Sequence, residues 1–111
     1  MISENLSNRV FYSAKLPEVC PKSYRSITAV LDQYGVLHSS LISTNDIWVR
    51  DFMPIQVCHD RYKIYDYSPD YLHCKKYRHL VSSPIEVCKA NRISIDEGLG
   101  LVRIDGGNVV H

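Results

Sequence analysis

Apolar and polar positions change period several times along this chain, and each change marks an element. Residues 10–14 (Val-Phe-Tyr-Ser-Ala) are rich in β-formers and predict a first strand. Pro17 and Pro21 follow, and Pro21 suits the first turn of a helix, where its missing N–H costs nothing. Ile27, Val30, Leu31 and Tyr34 then recur at helical spacing, which predicts a helix with those four on its core side. Gly35 reads as its stop, and the apolar run 36–42 as a second strand. Ser43-Thr44-Asn45-Asp46 is a polar break. Residues 47–54 look strand-like, with Arg50 and Asp51 embedded in them. Residues 55–58 and 62–67 predict a hairpin turning at His59-Asp60-Arg61, and Ser68-Pro69-Asp70 predicts another turn. No single period fits residues 71–80. Ser83 is placed as a helix cap, with Pro84 at the first position and Glu86 completing a capping box, for a helix running to about Asn91. Short strands are expected at 93–95 and 101–104, on either side of Asp96-Glu97-Gly98. The class is α/β, with mostly β-connected units.

At 111 residues the chain suits one domain with a modest core. Tyrosine is unusually frequent, eight against two phenylalanines and one tryptophan. A tyrosine packs a ring while keeping a polar tip, which suits half-buried strands and pocket walls. The formal charge is +1 and no stretch is strongly basic, which argues against nucleic acid as partner. No run approaches the roughly 18 apolar residues of a membrane span. The opening Met-Ile-Ser-Glu-Asn-Leu-Ser-Asn lacks the charged-then-apolar pattern of a secretory leader, so the cytoplasm is the expected compartment.

Cys20, Cys58, Cys74 and Cys88 are too widely spaced for a Cys-x-x-Cys motif and are expected to be reduced and buried. The pairs Cys58-His59 and His73-Cys74 offer ligand types that zinc accepts. Adjacent strand residues point to opposite faces, however, so each pair chelates poorly and coincidence is the better reading. Neither metal nor cofactor is expected. The histidines His38, His59, His73 and His79 are expected to be surface or packing residues.

Two stretches carry candidate chemistry. In Trp48-Val49-Arg50-Asp51, a charged pair sits in apolar surroundings, and buried charge is tolerated only when paired. Either Arg50 and Asp51 pair with other groups of the fold, or they line a pocket for a planar cation. A carboxylate accepts two parallel N–H bonds from a guanidinium, and a tryptophan face stacks on the same ion. Trp48 and Asp51 are three apart, so a turn or a distorted strand must bring them together. In Asp105-Gly106-Gly107-Asn108, two glycines let backbone bend or approach a ligand closely. A bare Gly-Gly between polar residues is more often just a turn.

Together these stretches resemble the agmatine deiminases and bacterial-type peptidylarginine deiminases. The run from Asn45 through Asp46, Ile47, Trp48, Val49, Arg50, Asp51, Phe52, Met53 and Pro54 to Val57 looks like that family's Trp-x-Arg-Asp signature with its following proline. Asp105 to Asn108 looks like the acidic-Gly-Gly-Asn motif that comes after it. The resemblance spans residues 10–111 and includes Ser68-Pro69-Asp70-Tyr71-Leu72. It implies the pentein fold, a fan of ββαβ units around a central site, of which this chain would hold a part. It also implies hydrolysis of a guanidine: a cysteine attacks the guanidinium carbon, ammonia leaves, and water cleaves the thiouronium, with a histidine as acid and base.

By the same resemblance, Asp51 grips the guanidinium nitrogens, Trp48 forms a pocket wall, and Arg50 braces the loop. Asp105 stands where relatives carry glutamate, as a substrate-side or supporting acid with shorter reach. Asn108, Gly106 and Gly107 support backbone near the site. The family's His-x-Asp motif and nucleophilic cysteine lie beyond these motifs; His111 matches neither, and the four cysteines fall outside the nucleophile's place. With Val109-Val110 running strand-like to the last residue, the expectation is the front part of a deiminase, without its catalytic residues. The expected partner is a small guanidine such as agmatine, or peptidyl-arginine. The alternative is a non-catalytic relative acting as a binding module, whose open sheet edges favour self-association.

Overall fold

Pro21 opens the longest helix, and Gly35 closes it. The computed structural model describes residues 6–59, 61–96 and 103. In chain order these give β1 (Arg9–Ser13), α1 (Leu16–Val19), α2 (Pro21–Gln33), β2 (Leu37–Leu41), α3 (Val49–Phe52), β3 (Ile55–Cys58), β4 (Arg61–Lys63) and α4 (Pro84–Ala90). Short 3-10 turns occupy Asp70–Leu72 and Arg78–Leu80. The helix α2 ends in a Schellman motif: Val36 N–H donates to Leu31 O (2.9 Å) and Gly35 N–H to Asp32 O (3.1 Å). Gly35 takes the left-handed φ of 63° that this motif requires and that a glycine adopts without steric cost.

The strands β1 and β2 pair in parallel, from Arg9 opposite Leu37 to Ser13 opposite Leu41, with α2 as the crossover. Strands β3 and β4 form an antiparallel hairpin with an irregularity between Gln56 and Cys58. These are two separate two-stranded sheets, so the described residues make a mixed α/β arrangement. None of their helices is long and apolar enough to cross a membrane.

The core lies around α3, not under α2. Leu41, Phe52, Tyr65, Tyr67, Leu72 and Val87 are buried together, with Val49, Met53, Ile55, Leu80, Val81 and Ile93 packed against them. The Phe52 and Tyr67 rings meet at 5.9 Å, tilted by 57°. The cap of α4 is as expected: Ser83 Oγ accepts from Glu86 N–H, with Pro84 at the first position. This helix also ends in a Schellman motif, but Arg92 takes the left-handed place, at φ 56°.

The α4 unit is stitched to β2 by side-chain amides. Asn91 Nδ2 donates to Ile42 O (3.0 Å), while its Oδ1 accepts from Ile42 N–H (3.1 Å). One amide thus stands in for a neighbouring strand at the end of β2. Its Nδ2 also donates to Val87 O at 2.7 Å. Asn45 mirrors it three residues on: its N–H donates to Ser82 Oγ (2.9 Å) and its Nδ2 to Val81 O (2.7 Å). Beneath this loop, Ser13 and Thr44 share a buried hydroxyl–hydroxyl bond of 2.7 Å.

Several expectations need correction. No residue of α2 is buried, and Ile27, Val30 and Tyr34 are exposed. The neighbouring stripe of Tyr24, Thr28 and Leu31 is half-buried instead. Tyr24 sets its ring edge-on to Tyr12 at 5.6 Å. The stretch 47–54 is not extended, because three backbone bonds close it into α3. The second hairpin strand stops at Lys63, and Tyr65 and Tyr67 beyond it enter the core. Among the described residues, 93–95 pair with no strand. Asp96 makes an isolated bridge to Lys63 instead, and Arg61 holds the Asp96 carboxylate at 2.7 Å. Only Cys88 of the four cysteines is buried; Cys20 is half-buried, and Cys58 and Cys74 are exposed. The expected strand at 101–104 lies outside the described residues except for Arg103, which bridges to Asp66.

Candidate functional site

The turn carrying Trp48 and Asp51 is made locally and then anchored. Asp46 Oδ1 accepts from Ile47 N–H at 2.6 Å, which bends the chain as it enters. Val49 N–H donates to Ile47 O (2.9 Å), Asp51 N–H to Trp48 O (3.0 Å) and Met53 N–H to Val49 O (3.0 Å). Met53 is extended, as the residue before a proline prefers to be, so Pro54 ends the turn. Phe52 drives the turn into the core, with no exposed surface. At a spacing of three on one helical turn, Trp48 and Asp51 come to the same side.

Both residues line one cleft of about 370 Å3, together with Asp46, Tyr71, Leu72, Tyr77 and Leu80. Trp48 is 64% exposed, so most of its ring is free to take a ligand. Two carboxylates and three aromatic rings around an apolar pair match a planar organic cation. Carboxylate oxygens accept from its N–H groups, and ring faces attract its charge. A cleft of about 390 Å3 between residues 64–67 and 81–85 is as large. Among the described residues its lining brings one carboxylate, Asp66, and no tryptophan, against two carboxylates and a tryptophan in the Trp48–Asp51 cleft. A third, of about 450 Å3, has Arg9 and His59 in its lining and, among the described residues, no carboxylate. The Trp48–Asp51 cleft is therefore the candidate.

The structure brings together Trp48 and Asp51 of the expected residues. Arg50, on the same turn, is exposed and is not part of the lining. Asp105, Gly106, Gly107 and Asn108 lie outside the described residues. Asp46, Tyr71 and Tyr77 carried no assigned role in the sequence reading. Asp46 falls within the motif and Tyr71 beside Ser68-Pro69-Asp70, so their positions were visible though their convergence was not. No cysteine lines the cleft.

Among the described residues, no three His, Cys, Asp or Glu side chains stand together as a metal site. His73 instead shares a 2.7 Å hydrogen bond with Ser68 Oγ, and the Cys74 thiol reaches Tyr71 O at 3.8 Å.

No family model, curated protein or solved structure matches this chain.

Proposed function

We propose that this chain supplies the guanidinium-binding part of a guanidine hydrolase resembling the agmatine deiminases, acting in the cytoplasm. The observation that carries the reading is the convergence of Trp48, Asp51 and Asp46 with Tyr71 and Tyr77 on one cleft. In the reaction, a guanidinium and water become a ureido group and ammonia, as in agmatine to N-carbamoylputrescine. Peptidyl-arginine presents the same guanidinium and fits the same chemistry.

The part of this chain is binding and orientation. The Asp51 carboxylate accepts from guanidinium N–H groups and fixes the plane of the cation. Trp48 covers one face of that plane, and Asp46 adds a second negative charge. The attacking thiolate and the acid–base histidine are not among the lining residues, and the resemblance puts them beyond Asn108. The pentein arrangement belongs to the same proposal, with β1, α2 and β2 as the βαβ part of one of its ββαβ units.

The chain's single tryptophan lies in the cleft, so its fluorescence reports on occupancy directly. Butylguanidinium should change that emission saturably. Asp51→Asn should weaken binding about 10- to 100-fold, the worth of a charge-assisted hydrogen bond. Trp48→Ala, followed by calorimetry, should weaken it about 2- to 30-fold through loss of the stacking face. No saturable response in the unaltered chain, or equal affinity in both variants, would sink the reading.

The uncovered apolar side of α2 favours a second reading, a self-associating binding module. Ile27, Val30 and Tyr34 stand exposed there beside a two-stranded sheet. Sedimentation of the chain at rising concentration should then show a dimer or larger species, and Val30→Glu should return it to monomer. A monomer throughout would remove this reading.

A further inference from the structure

Arg9 and Arg92 come from opposite ends of the chain and line one cleft. It measures about 330 Å3, and Phe11, Tyr62 and Ser94 are also in its lining. It adjoins the cleft of about 450 Å3 described above, with which it shares Arg9, Phe11 and Tyr62. Neither has a lining residue in common with the Trp48–Asp51 cleft. Among the described residues, neither lining includes a carboxylate, and neither Arg9 nor Arg92 enters an ion pair. Of the acids close by in sequence, Asp96 is held by Arg61 at 2.7 Å, and Asp60 and Glu97 lie outside the described residues.

Both arginines have a defined place. Arg9 Cζ stands 5.9 Å from the centre of the Phe11 ring, a cation–π contact that keeps the guanidinium on the wall the two clefts share. Arg92 follows α4 in the left-handed conformation, at φ 56°. Glycine usually takes that place in a Schellman motif, because a Cβ there is crowded. Asn91, the residue before it, is fixed to both backbone groups of Ile42, so the backbone that carries Arg92 is anchored. Strained backbone of this kind gathers where a side chain meets a ligand. An arginine kept where glycine would be more stable points to a use for its guanidinium.

A guanidinium donates parallel N–H bonds to phosphate oxygens, and two of them on one cleft balance the double charge of a phosphate monoester. The Ser94 hydroxyl adds a further donor. The Tyr62 ring offers a face on which a flat group can stack. We propose that this cleft binds a small nucleotide, a nucleoside monophosphate, with its phosphate between Arg9 and Arg92 and its base against Tyr62. The site stands whether or not a guanidinium binds at Asp51.

Calorimetry on the full 111-residue chain tests this with adenosine monophosphate, adenosine and inorganic phosphate. At low salt the nucleotide should bind about 10-fold tighter than either part alone, since each part makes only half of the contacts. Arg9→Gln and Arg92→Gly should each weaken the nucleotide about 3- to 10-fold, the scale of an exposed charge contact. Arg25→Gln, an exposed arginine on α2, should leave it unchanged. Arg92→Gly should meanwhile hold or raise the thermal midpoint, because glycine relieves the left-handed backbone. That pairing of weaker binding with undiminished stability separates a ligand site from a merely structural arginine. Equal affinity for nucleotide and adenosine, or an Arg25→Gln loss as large as that of Arg92→Gly, would overturn the site. So would a midpoint that falls in Arg92→Gly, which would assign the residue to the fold. A short single-stranded oligonucleotide binding more than about 10-fold tighter than the mononucleotide would refute a small-molecule site in favour of a nucleic-acid groove.

Discussion

The Tyr65 hydroxyl donates a 3.1 Å hydrogen bond to the backbone carbonyl of Asp51. It thereby ties the core to the residue that would grip a guanidinium. Tyr65 is itself buried, with 4% of its surface exposed, and comes from the stretch just past the hairpin. The carboxylate of Asp51 is thus aimed by a turn whose main chain is fixed from behind.

Removing that hydroxyl should loosen both the fold and the site. Tyr65→Phe keeps the ring and deletes the donor, so it should destabilise the chain by about 1 kcal/mol. The check is a urea titration, in which the midpoint should fall with an unchanged slope. Binding of butylguanidinium should weaken by more than the same change made at the exposed Tyr34. Identical midpoints would mean that this bond contributes nothing to anchoring Asp51.

The Asn91 amide makes a stronger case, because it holds both backbone groups of Ile42 and the carbonyl of Val87. Asn91→Ala removes all three bonds and should cost about 1–3 kcal/mol. Asn91→Asp should also destabilise, since a carboxylate cannot donate to either carbonyl. Thermal melting of the two variants side by side would decide this, and a melting temperature equal to that of the parent in both would refute the bridging role.

Cys88 gives the fold a pH dependence with a definite sign. Burial pushes its thiol from the ordinary 9.0 up to about 11, because the thiolate would lose its hydration. A raised folded-state value stabilises the chain fully below the unfolded value near 9, and that stability is lost as pH rises from there through about 11. Cys88→Ala should flatten this alkaline limb of the stability profile, measured by urea midpoints between pH 8 and pH 11. Thiol titration at pH 8 should find Cys58 and Cys74 reacting first and Cys88 only after denaturation. Rapid modification of all four in the native chain would contradict the burial.

The sequence was most legible where one local rule acts alone. Ser83, Pro84 and Glu86 announce α4, Pro21 and Gly35 bound α2, and the hairpin follows from its turn. It was least legible where tertiary contacts choose among faces. The spacing of Ile27, Val30 and Tyr34 is helical, yet which stripe of α2 is covered depends on Tyr12 and on where β1 and β2 lie. Around Arg50 and Asp51 the apolar neighbours suggest a strand, but the Asp46 side chain and the burial of Phe52 curl the chain instead. The site was legible as a motif, Trp48 with Asp51. Tyr71 and Tyr77 reach it from a segment without periodicity, which no local pattern could have placed.

The amide stitching of Asn45 and Asn91 also sets an order of assembly. The unit β1-α2-β2 closes through strand pairs 28 residues apart, as from Arg9 to Leu37, and can form early. The loop that presents Asp46 and Trp48 is held by bonds spanning 37 and 49 residues, to Ser82 and Asn91. During synthesis, therefore, the parallel sheet can fold while the cleft is still unformed, and the cleft takes shape only once α4 has emerged and docked.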